Sequence, residues 1–504
     1  MTALGSAQAF RAAYEAGKGA LVWRESPADL ETPVAVFLKI AHGKPFSFLL
    51  ESVEGGASRG RYSVIAMEPD LVWRCEKGEA AINRTALTER DAFVRDERPA
   101  LESLRALVAE TRLDLPNGMP PMAGGLFGYL GYDMVRLMER LPEKNEDVLG
   151  LPEAILIRPT VFVIFDNVRD VMTFAAPAFP RAGVSSEQAF ADAEARLDRV
   201  EQGLLQPVPL PAAPAGEVTL GEPQSNMTRA YFEEMVDKMK DYIAAGDAFQ
   251  VVPSQRLSLA FPLPPFALYR ALRRINPAPF LFFLDFGTFS VAGSSPEILV
   301  RLRDGMVTIR PLAGTRPRSP DPVEDLRLEQ ELLSDPKELA EHLMLLDLGR
   351  NDVGRVSELG SVKVVESFVI ERFSHVMHIS SMVQGRIRPD LDALDALMAG
   401  FPAGTLSGAP KVRAMQIIEE LEPVRRGLYG GCIGYFAPDG TMDTCIGLRT
   451  AVIKDGVMHV QAGGGVVADS VPALEYEESR HKARALFRAA EEAVRFATLP
   501  KRAG

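Results

Sequence analysis

The chain has little cysteine and no apolar run long enough to span a membrane. Its three cysteines, Cys75, Cys432 and Cys445, are too few and too scattered for a disulfide framework or a zinc site. No window approaches the roughly 18 uninterrupted apolar residues of a membrane span. The N-terminal residues lack the apolar segment of a signal peptide. We therefore expect a cytoplasmic protein with no membrane partner.

Positive charge is also in deficit. The chain has 56 lysines and arginines against 68 aspartates and glutamates, which gives a formal net charge of −12. This balance argues against a nucleic-acid partner. It does not exclude an anionic small molecule, because the local field of a site can oppose the net charge. An apolar content of 47% and a charged content of 25% are typical of a soluble globular protein.

The distribution of proline indicates how the 504 residues are divided. Five prolines between Gln206 and Pro223, without helical or strand periodicity, predict a linker over residues 206–225. The linker would separate an N-terminal region (1–205) from a C-terminal region (226–504). Runs of strands alternate irregularly with helices in both regions. This pattern favours the α+β class with antiparallel sheets over a doubly wound parallel fold.

Several elements can be predicted from local patterns. Short apolar runs predict strands at 34–40, 46–53 and 155–167. Helical spacing predicts helices over 99–111, from Thr228 to Gly246, and from Leu326 to Gly349, and a further helix beginning near Pro410. A hairpin is expected across residues 437–440.

A glycine run followed by a charged helix is the most informative segment. Gly463, Gly464 and Gly465 would let backbone amides approach a ligand without a Cβ in the way. On the helix that follows, Glu475, Glu478 and Lys482 share one face. The same face continues with three apolar residues, Leu486, Ala493 and Phe496. We therefore expect a core-directed face whose charges must be paired or bound to a metal.

A second helix, 335–352, also has two carboxylates one turn apart. Glu338 and Glu341 lie among leucines on a largely apolar helix, which predicts burial. If the two helices face each other, their carboxylates could hold Mg²⁺, which keeps water and substrate oxygens in its other positions. Two solvated glutamates at a helix start are the alternative interpretation. Ca²⁺ is less favoured because the chain has no EF-hand-like loop.

Two further motifs are ambiguous or negative. His375 and His378 lie in one predicted strand, three residues apart, so they should point to opposite faces. The spacing alone does not indicate which of them faces a site. Residues 430–434 match the Gly-x-Cys-x-Gly elbow of glutaminase nucleophiles, but a hairpin follows instead of the required helix. We therefore expect no glutaminase activity in this chain.

Taken together, these segments resemble the chorismate-utilising enzymes, and most closely the component I (large-subunit) family of anthranilate synthases. The similarity is dense and ordered from about residue 226 to 490 and weaker in the N-terminal half. The motifs that carry it are LLES (49–52), GGLFGYLGYD (124–133), PLAGTRPR (311–318), ELAEHLMLLDLGRNDVGRV (338–356), FSHVMHISSMVQG (373–385), FPAGTLSGAPKVRAM (401–415), YGGCIGYF (429–436), CIGLRTAVI (445–453) and QAGGGVVADSVPALEYEES (461–479).

The resemblance implies a fold and a reaction. The fold would be antiparallel β-sheets stacked as a sandwich, with flanking helices around a central cleft. In the reaction, ammonia adds at C2 of chorismate as the C4 hydroxyl leaves, and pyruvate is then eliminated to give anthranilate. Because the chain has no glutaminase motif, the resemblance also implies a separate glutamine amidotransferase subunit that supplies the ammonia.

The resemblance further implies roles for single residues. Glu341 and Glu478 resemble the Mg²⁺ ligands, and Glu338 resembles the general acid, whose protonated form the apolar surround of its helix would have to stabilise. His378, and not His375, matches the histidine at the substrate. The positions that match substrate-binding residues are Gly314, Thr315, Thr405, Tyr429, Arg449, Gly463, Gly464, Gly465 and Lys482.

Feedback inhibition by tryptophan is implied as well. The positions that resemble the inhibitor pocket are Leu50, Glu51, Ser52, Pro279, Phe280, Leu281 and Tyr435. The family commonly has tyrosine where Phe280 stands.

Two positions bear on the choice among relatives. Some aminodeoxychorismate synthases have a nucleophilic lysine at the position of Ala313, and isochorismate-forming relatives have a lysine base at the position of Gln250. Both substitutions leave ammonia as the expected nucleophile. The alternatives are component I of aminodeoxychorismate synthase, which omits pyruvate elimination, and a catalytically silent tryptophan-binding subunit.

Overall fold

The computed structural model describes residues 7–54, 58–209, 218–373 and 375–498. The helices in these ranges are α1 (Ala7–Glu15), α2 (Pro33–Ile40), α3 (Ala100–Glu110), α4 (Ser186–Leu204), α5 (Arg229–Ala244), α6 (Pro265–Ile275), α7 (Pro322–Ser334), α8 (Pro336–Gly354), α9 (Ala393–Gly400), α10 (Gly404–Ser407), α11 (Lys411–Leu421) and α12 (Pro472–Thr498). A 3₁₀ helix covers Tyr132–Leu137.

The strands of the N-terminal half are β1 (Ala20–Pro27), β2 (Ser47–Glu54), β3 (Ser58–Glu76), β4 (Glu79–Asn83), β5 (Val94–Arg95), β6 (Leu126–Leu130), β7 (Ala154–Asp166) and β8 (Val171–Ala178). Those of the C-terminal half are β9 (Gln224–Ser225), β10 (Gln250–Val251), β11 (Ser254–Ala260), β12 (Phe280–Asp285), β13 (Phe289–Ser295), β14 (Ile298–Arg303), β15 (Met306–Ile309), β16 (Leu312–Pro317), β17 (Lys363–Arg372), β18 (Val376–Arg386), β19 (Gly408–Ala409), β20 (Cys432–Phe436), β21 (Met442–Ile446), β22 (Thr450–Lys454) and β23 (Val457–Gly463).

Two antiparallel sheets share the long strands β3 and β7. These strands pair from Tyr62 opposite Asp166 to Cys75 opposite Ala154, with an irregularity between Pro69 and Leu71. One half of the β3–β7 pair belongs to the first sheet, whose strand order is β1–β8–β7–β3–β2–β12–β13–β22–β23–β11–β9. The other half continues the order β5–β4–β3–β7–β6–β20–β21–β14–β15–β18, and both β16 and β17 pair with β18.

Three apolar cores hold the layers together. Aromatic residues such as Phe48, Phe127 and Phe282 fill the space between the two sheets. The outer face of the first sheet is covered by α1, α2, α4, α6 and α12, and the outer face of the second by α3, α8 and α9. Alternating side chains bury one face against the other sheet and one against helices, as expected of a sandwich. The predicted α+β class of stacked antiparallel sheets with flanking helices is confirmed.

The division into two regions and a linker stays a prediction. Residues 210–217 of the predicted linker lie outside the described residues. Within the same predicted linker, Gln224 and Ser225 form β9 on β11. Strands from the two regions also pair directly, since β12 lies beside β2 and β20 beside β6.

Two local predictions are wrong. Residues 34–40 form helix α2 and not a strand: Thr32 accepts a hydrogen bond from the Ala35 amide (3.2 Å), and Pro33 occupies the first turn. This cap outweighs the strand propensity of an apolar run that contains valine, phenylalanine and isoleucine. The single helix predicted from Leu326 to Gly349 is two helices, because Asp335 ends α7 and caps α8.

Among the helices in the described ranges, none has the length and apolar character needed to cross a membrane.

Candidate active site

The glycine run closes β23 and lies against the protein's own groups. A Cβ at Gly463 would stand 1.9 Å from the Pro253 carbonyl oxygen. At Gly464 it would meet Glu475 Oε2 at 3.0 Å and Glu478 Oε1 at 3.1 Å. At Gly465 it would meet the Gln250 amide at 2.4 Å. The absence of side chains therefore lets the backbone lie directly against carboxylates and an amide.

The charged face of α12 is less buried than the sequence pattern predicted. Leu486 and Ala493 are buried. Glu478 and Lys482, however, form an ion pair of 2.8 Å with about half of each side chain exposed. Lys482 Nζ also donates to the Gly463 carbonyl oxygen at 3.0 Å. The charges are therefore not core-directed as expected; they line an open surface beside the glycine run.

Helix α8 faces them with Glu341 and Glu338. Glu341 accepts a hydrogen bond of 2.9 Å from the Gln250 amide. Burial, together with the neighbouring Glu338 and Glu478, raises the pKa of Glu341. Burial likewise raises the pKa of Glu475, with Glu478 as a further cause. These pKa shifts show that the carboxylates of the two helices act on one another electrostatically.

Glu338 does not have the apolar surround that was expected. Its carboxylate lies 3.3 Å from a guanidinium nitrogen of Arg316, which also pairs with Asp335 and Glu331. The Glu338 carboxylate is therefore engaged in an ion-pair cluster with Arg316. The helix itself is buried on one side only, since Leu343 is half exposed. The prediction that this largely apolar helix is buried around most of its circumference is wrong.

Strands β16 and β18 bring Gly314, Thr315 and His378 together. His378 Nδ1 lies 3.0 Å from the Gly314 carbonyl oxygen and 3.0 Å from Thr315 Oγ1. Because a carbonyl can only accept, Nδ1 carries the proton and Nε2 is a bare acceptor. In the described part of the chain, the buried Nε2 has no hydrogen-bond partner. Burial and the nearby Arg449 lower the pKa of His378 to about 3, so the ring is neutral.

The other histidine of this segment is elsewhere. His375 precedes β18, is exposed, and lies with Nε2 3.1 Å from the Ile275 carbonyl oxygen.

Gly314 itself has a φ of +70°, and a Cβ there would approach Glu338 Oε2 at 3.0 Å. Glycine at this position therefore allows the left-handed turn and the contact with Glu338.

Glu297 is a site residue that the sequence interpretation missed. Its buried carboxyl accepts hydrogen bonds from Thr405 Oγ1 at 3.2 and 3.3 Å. Burial raises the pKa of Glu297 to about 8, although Thr405 and Arg449 act in the opposite direction. A carboxyl that keeps its proton near neutral pH is a suitable proton donor. The available signal was a lone acid within the apolar run 289–302.

Arg449 is a cation without a fixed partner. Its backbone has a φ of +49°, and its carbonyl accepts a hydrogen bond from the Ser294 amide. No described residue forms a hydrogen bond or ion pair with its guanidinium. Burial lowers the pKa of Arg449, and the Glu297 carboxylate opposes that effect. A guanidinium without a protein partner can form two parallel hydrogen bonds to the carboxylate of a ligand.

Tyr429 completes the set of predicted substrate residues. Its hydroxyl is hydrogen-bonded by the Gly463 backbone, and burial raises the pKa of Tyr429 to about 12. The guanidinium of Arg426 lies 5.5 Å from its ring centre. Tyr429, Gly463 and Lys482 are thus connected by hydrogen bonds in one corner of the site.

The carboxylates can be tested against the predicted Mg²⁺. No group of three or more histidine, cysteine, aspartate or glutamate side chains in the described part of the chain has metal-binding geometry. The candidate Mg²⁺ ligands are therefore two carboxylates, those of Glu341 and Glu478. Besides burial, Glu338 and Glu478 raise the pKa of Glu341, while Lys482, which pairs with Glu478, lowers it. Two carboxylates fit Mg²⁺, which binds through one or two carboxylates and keeps waters and substrate oxygens.

The residues predicted to bind the inhibitor lie on both faces of strands β2 and β12, because successive side chains of a strand point to opposite sides. Glu51 and Leu281 are opposite each other on β2 and β12 and face helix α6. There Glu51 accepts hydrogen bonds from Arg273 at 2.9 and 3.0 Å and from Tyr269. The other side of the two strands, with Leu50 and Phe280, packs in the core between the sheets.

That core also contains Tyr435, whose ring stacks on Phe127 with centres 5.2 Å apart. Ser52 donates to the Tyr62 carbonyl oxygen at 3.0 Å, and Pro279 directly precedes β12. Only part of the predicted pocket thus shares one face.

Three comparisons place this geometry among known proteins. Residues 50–488 match the family model described as chorismate binding enzyme. The chain is 56% identical over 501 residues to anthranilate synthase component 1 of Cereibacter sphaeroides, with 99% of each chain covered. It is 51% identical to anthranilate synthase component 1 of Pseudomonas putida, covering 92% of this chain and 94% of that one. The crystal structure of anthranilate synthase component I from Streptococcus pneumoniae is 35% identical, with a TM-score of 0.75 over 92% of this chain and 98% of that one.

Proposed function

Since the chain belongs to the chorismate-binding enzyme family, and within it to the component 1 group of anthranilate synthases, we propose that it converts chorismate and ammonia to anthranilate and pyruvate. The observation that carries this proposal is the buried Arg449 guanidinium, which has no partner among the described residues, near the buried carboxyl of Glu297. A partnerless guanidinium next to a protonated carboxyl suits a substrate with a carboxylate and a departing hydroxyl. Chorismate has both, with its enolpyruvyl carboxylate close to the C4 hydroxyl.

In the first step, ammonia attacks C2, the ring double bonds shift, and the C4–O bond breaks. The hydroxyl needs a proton to leave as water. Glu297 can supply this proton because its pKa is raised to about 8. Glu338, the donor that the family resemblance implied, is held beside Arg316. We therefore rank Glu297 above Glu338 as the acid.

In the second step, the C2 proton is removed and the C3–O bond breaks, which releases pyruvate and leaves the aromatic ring. His378 Nε2 is a bare, buried acceptor. The cation of Arg449 is one cause of the low pKa of His378. A substrate carboxylate bound at Arg449 would offset that cation, so substrate binding would make His378 a stronger base for this proton.

Mg²⁺ is the proposed cofactor, held by Glu341 and Glu478. Bound there, the cation would neutralise the ring carboxylate and withdraw electron density from the ring. The chain's own contribution is to orient the two acids. Gln250 holds Glu341 through a 2.9 Å hydrogen bond, and the bare backbone of Gly464 lies against Glu478.

Ammonia is the proposed nucleophile, and a glutamine amidotransferase subunit is its proposed source. Ala313 and Gln250 provide no nucleophilic amine, and the Gln250 amide is engaged with Glu341. Residues 430–434 lie in a buried turn and strand leading into the hairpin of β20 and β21, where burial raises the pKa of Cys432 to about 12. A thiol in this state is a poor nucleophile.

Tryptophan is the proposed inhibitor, bound where β2 and β12 adjoin. The C-terminal end of α6 links this place to the site. Asn276 O accepts a hydrogen bond from Ser294 Oγ, and the Ser294 amide donates to the Arg449 carbonyl. A ligand that moved the segment 276–282 would therefore act on the backbone of Arg449.

A product assay tests the proposal. Purified chain with chorismate, Mg²⁺ and ammonium should release anthranilate and pyruvate in equal amounts, and tryptophan should reduce the rate. An aminated product without pyruvate would assign the chain to aminodeoxychorismate synthesis. Tryptophan binding without any turnover would assign it to a silent regulatory role.

A further inference from the structure

Arg256 is a buried cation outside the machinery described above, and it is not neutralised. It lies on β11 with 4% of its surface exposed. Nε donates to Gln461 at 3.2 Å, and Nη2 donates to the carbonyl oxygens of Arg425 at 2.5 Å and Arg426 at 3.4 Å. Nη1 is buried and has no hydrogen-bond partner among the residues that the structure describes. Within the described ranges, no carboxylate comes within ion-pair distance of this guanidinium.

The neighbouring Arg426 shows how this protein satisfies a buried arginine elsewhere. Arg426 pairs with Glu422 through Nε at 2.9 Å and Nη2 at 2.5 Å, and donates to two carbonyl oxygens at 2.6 Å. Glu422 reaches Arg256 only as a more distant charge, as do Asp147 and Asp133. Burying a guanidinium without a counter-ion is unfavourable, and an unpaired buried N–H calls for a bound water or ion.

Two cavities adjoin Arg256, and their linings differ in charge. The first, of about 20 Å³, is bounded by Arg256, Arg426, Tyr429 and His459 and has no carboxylate in its wall. The second, of about 10 Å³, is bounded by Asp133, Asp147 and Glu153 as well as Arg256. Leu149 borders both. The acid-free cavity is therefore the one in which an anion meets only donors and apolar groups.

We propose that this acid-free cavity is a binding site for a halide-sized monovalent anion, which accepts a hydrogen bond from Arg256 Nη1. A volume of about 20 Å³ holds one water-sized group and is too small for a carboxylic acid of several carbons. Tyr429 can contribute its hydroxyl hydrogen, since its oxygen already accepts from the Gly463 backbone. The ion neutralises Arg256 directly behind the predicted substrate residue Tyr429.

Anion substitution tests the site in solution. The unfolding midpoint of the full chain is measured in sodium chloride, bromide and gluconate at equal ionic strength. A specific site predicts a saturable rise of the midpoint with chloride and bromide, the reverse of the general order in which gluconate stabilises proteins. Arg256→Gln should abolish the rise. Arg196→Gln is the matched control, because Arg196 is also buried with an unpaired Nη1 but borders neither cavity.

Bromide crystallography tests the site without any variant. We expect an anomalous peak at hydrogen-bond distance from Nη1, on the Tyr429 side. If Arg256→Gln does not fold, Leu149→Phe, which fills the cavity, should remove both the peak and the halide-dependent rise. A midpoint indifferent to chloride, together with no bromide peak at Arg256, would overturn the proposal in favour of a bound water.

Discussion

The candidate active site and the place where β2 adjoins β12 both contain buried charge, but they satisfy it differently. Next to β2, Glu51 is matched by Arg273 and Tyr269, and the cluster is complete without a ligand. In the candidate active site, no described residue pairs with the Arg449 guanidinium or donates to His378 Nε2, and Glu341 lies near two other acids. The first arrangement stabilises the fold. We expect the second arrangement to gain free energy when a charged ligand and the proposed cation bind.

Glu297→Gln should give the largest effect. The variant keeps the hydrogen bond to Thr405 but cannot release a proton, so we expect kcat to fall by about 10²- to 10⁴-fold while chorismate still binds. Steady-state kinetics and isothermal titration with chorismate check the two parts. Glu338→Gln is the matched control and should be affected less. If Glu338→Gln is inactive and Glu297→Gln is not, the ranking of the two acids is reversed.

Glu51→Gln should act mainly on stability. The change leaves Arg273 partly buried without its carboxylate, which costs about 3–5 kcal/mol of unfolding free energy. Denaturant unfolding measures the loss. The double variant Glu51→Gln/Arg273→Met should regain most of it, because it removes the orphaned cation. A single variant as stable as the parent would show that this cluster does not support the fold as described.

Arg449→Met should weaken substrate binding without unfolding the chain. Loss of a charge-assisted hydrogen bond costs about 1.5–3 kcal/mol, so we expect KM for chorismate to rise roughly 10- to 100-fold. Because the guanidinium has no partner among the described residues, thermal stability should not fall. A strongly destabilised Arg449→Met would mean that Arg449 is held by the fold and is not free for a ligand.

Lys337→Met should have the smallest effect. Lys337 bridges the start of α8 to Asp469 at 3.5 Å, with more than half of both side chains exposed. Exposed pairs contribute about 1 kcal/mol or less. Unfolding free energy and kcat should both be close to those of the parent. A large drop in kcat would show that an exposed ion pair, and not only the buried groups named above, affects catalysis.

Features that depend on residues close together in the sequence were predictable, and features that depend on distant residues were not. Gly463 to Gly465 and the spacing of Glu475, Glu478 and Lys482 are local patterns, and the structure places these residues next to one another. The exposure of Glu478 was not predictable, because it depends on how α12 is placed against the sheet.

Glu297 shows a different limit. It lies between strands β13 and β14, and burial raises its pKa against the opposing effects of Leu312, Thr405 and Arg449, which are distant in the chain. The misassigned helix α2 shows the reverse case, since its Thr32–Pro33 cap is local and was available in the sequence.

The dependence of kcat on pH tests the central claim most directly. Glu297 must be protonated to act, and its pKa is raised to about 8, so the active form is lost as pH rises through that value. With Mg²⁺ and chorismate saturating and free ammonia held constant, kcat should fall about tenfold per pH unit above roughly 8 in the parent. Glu297→Gln should lack this fall. A parent profile that stays level through the same range would contradict Glu297 as the proton donor of the site.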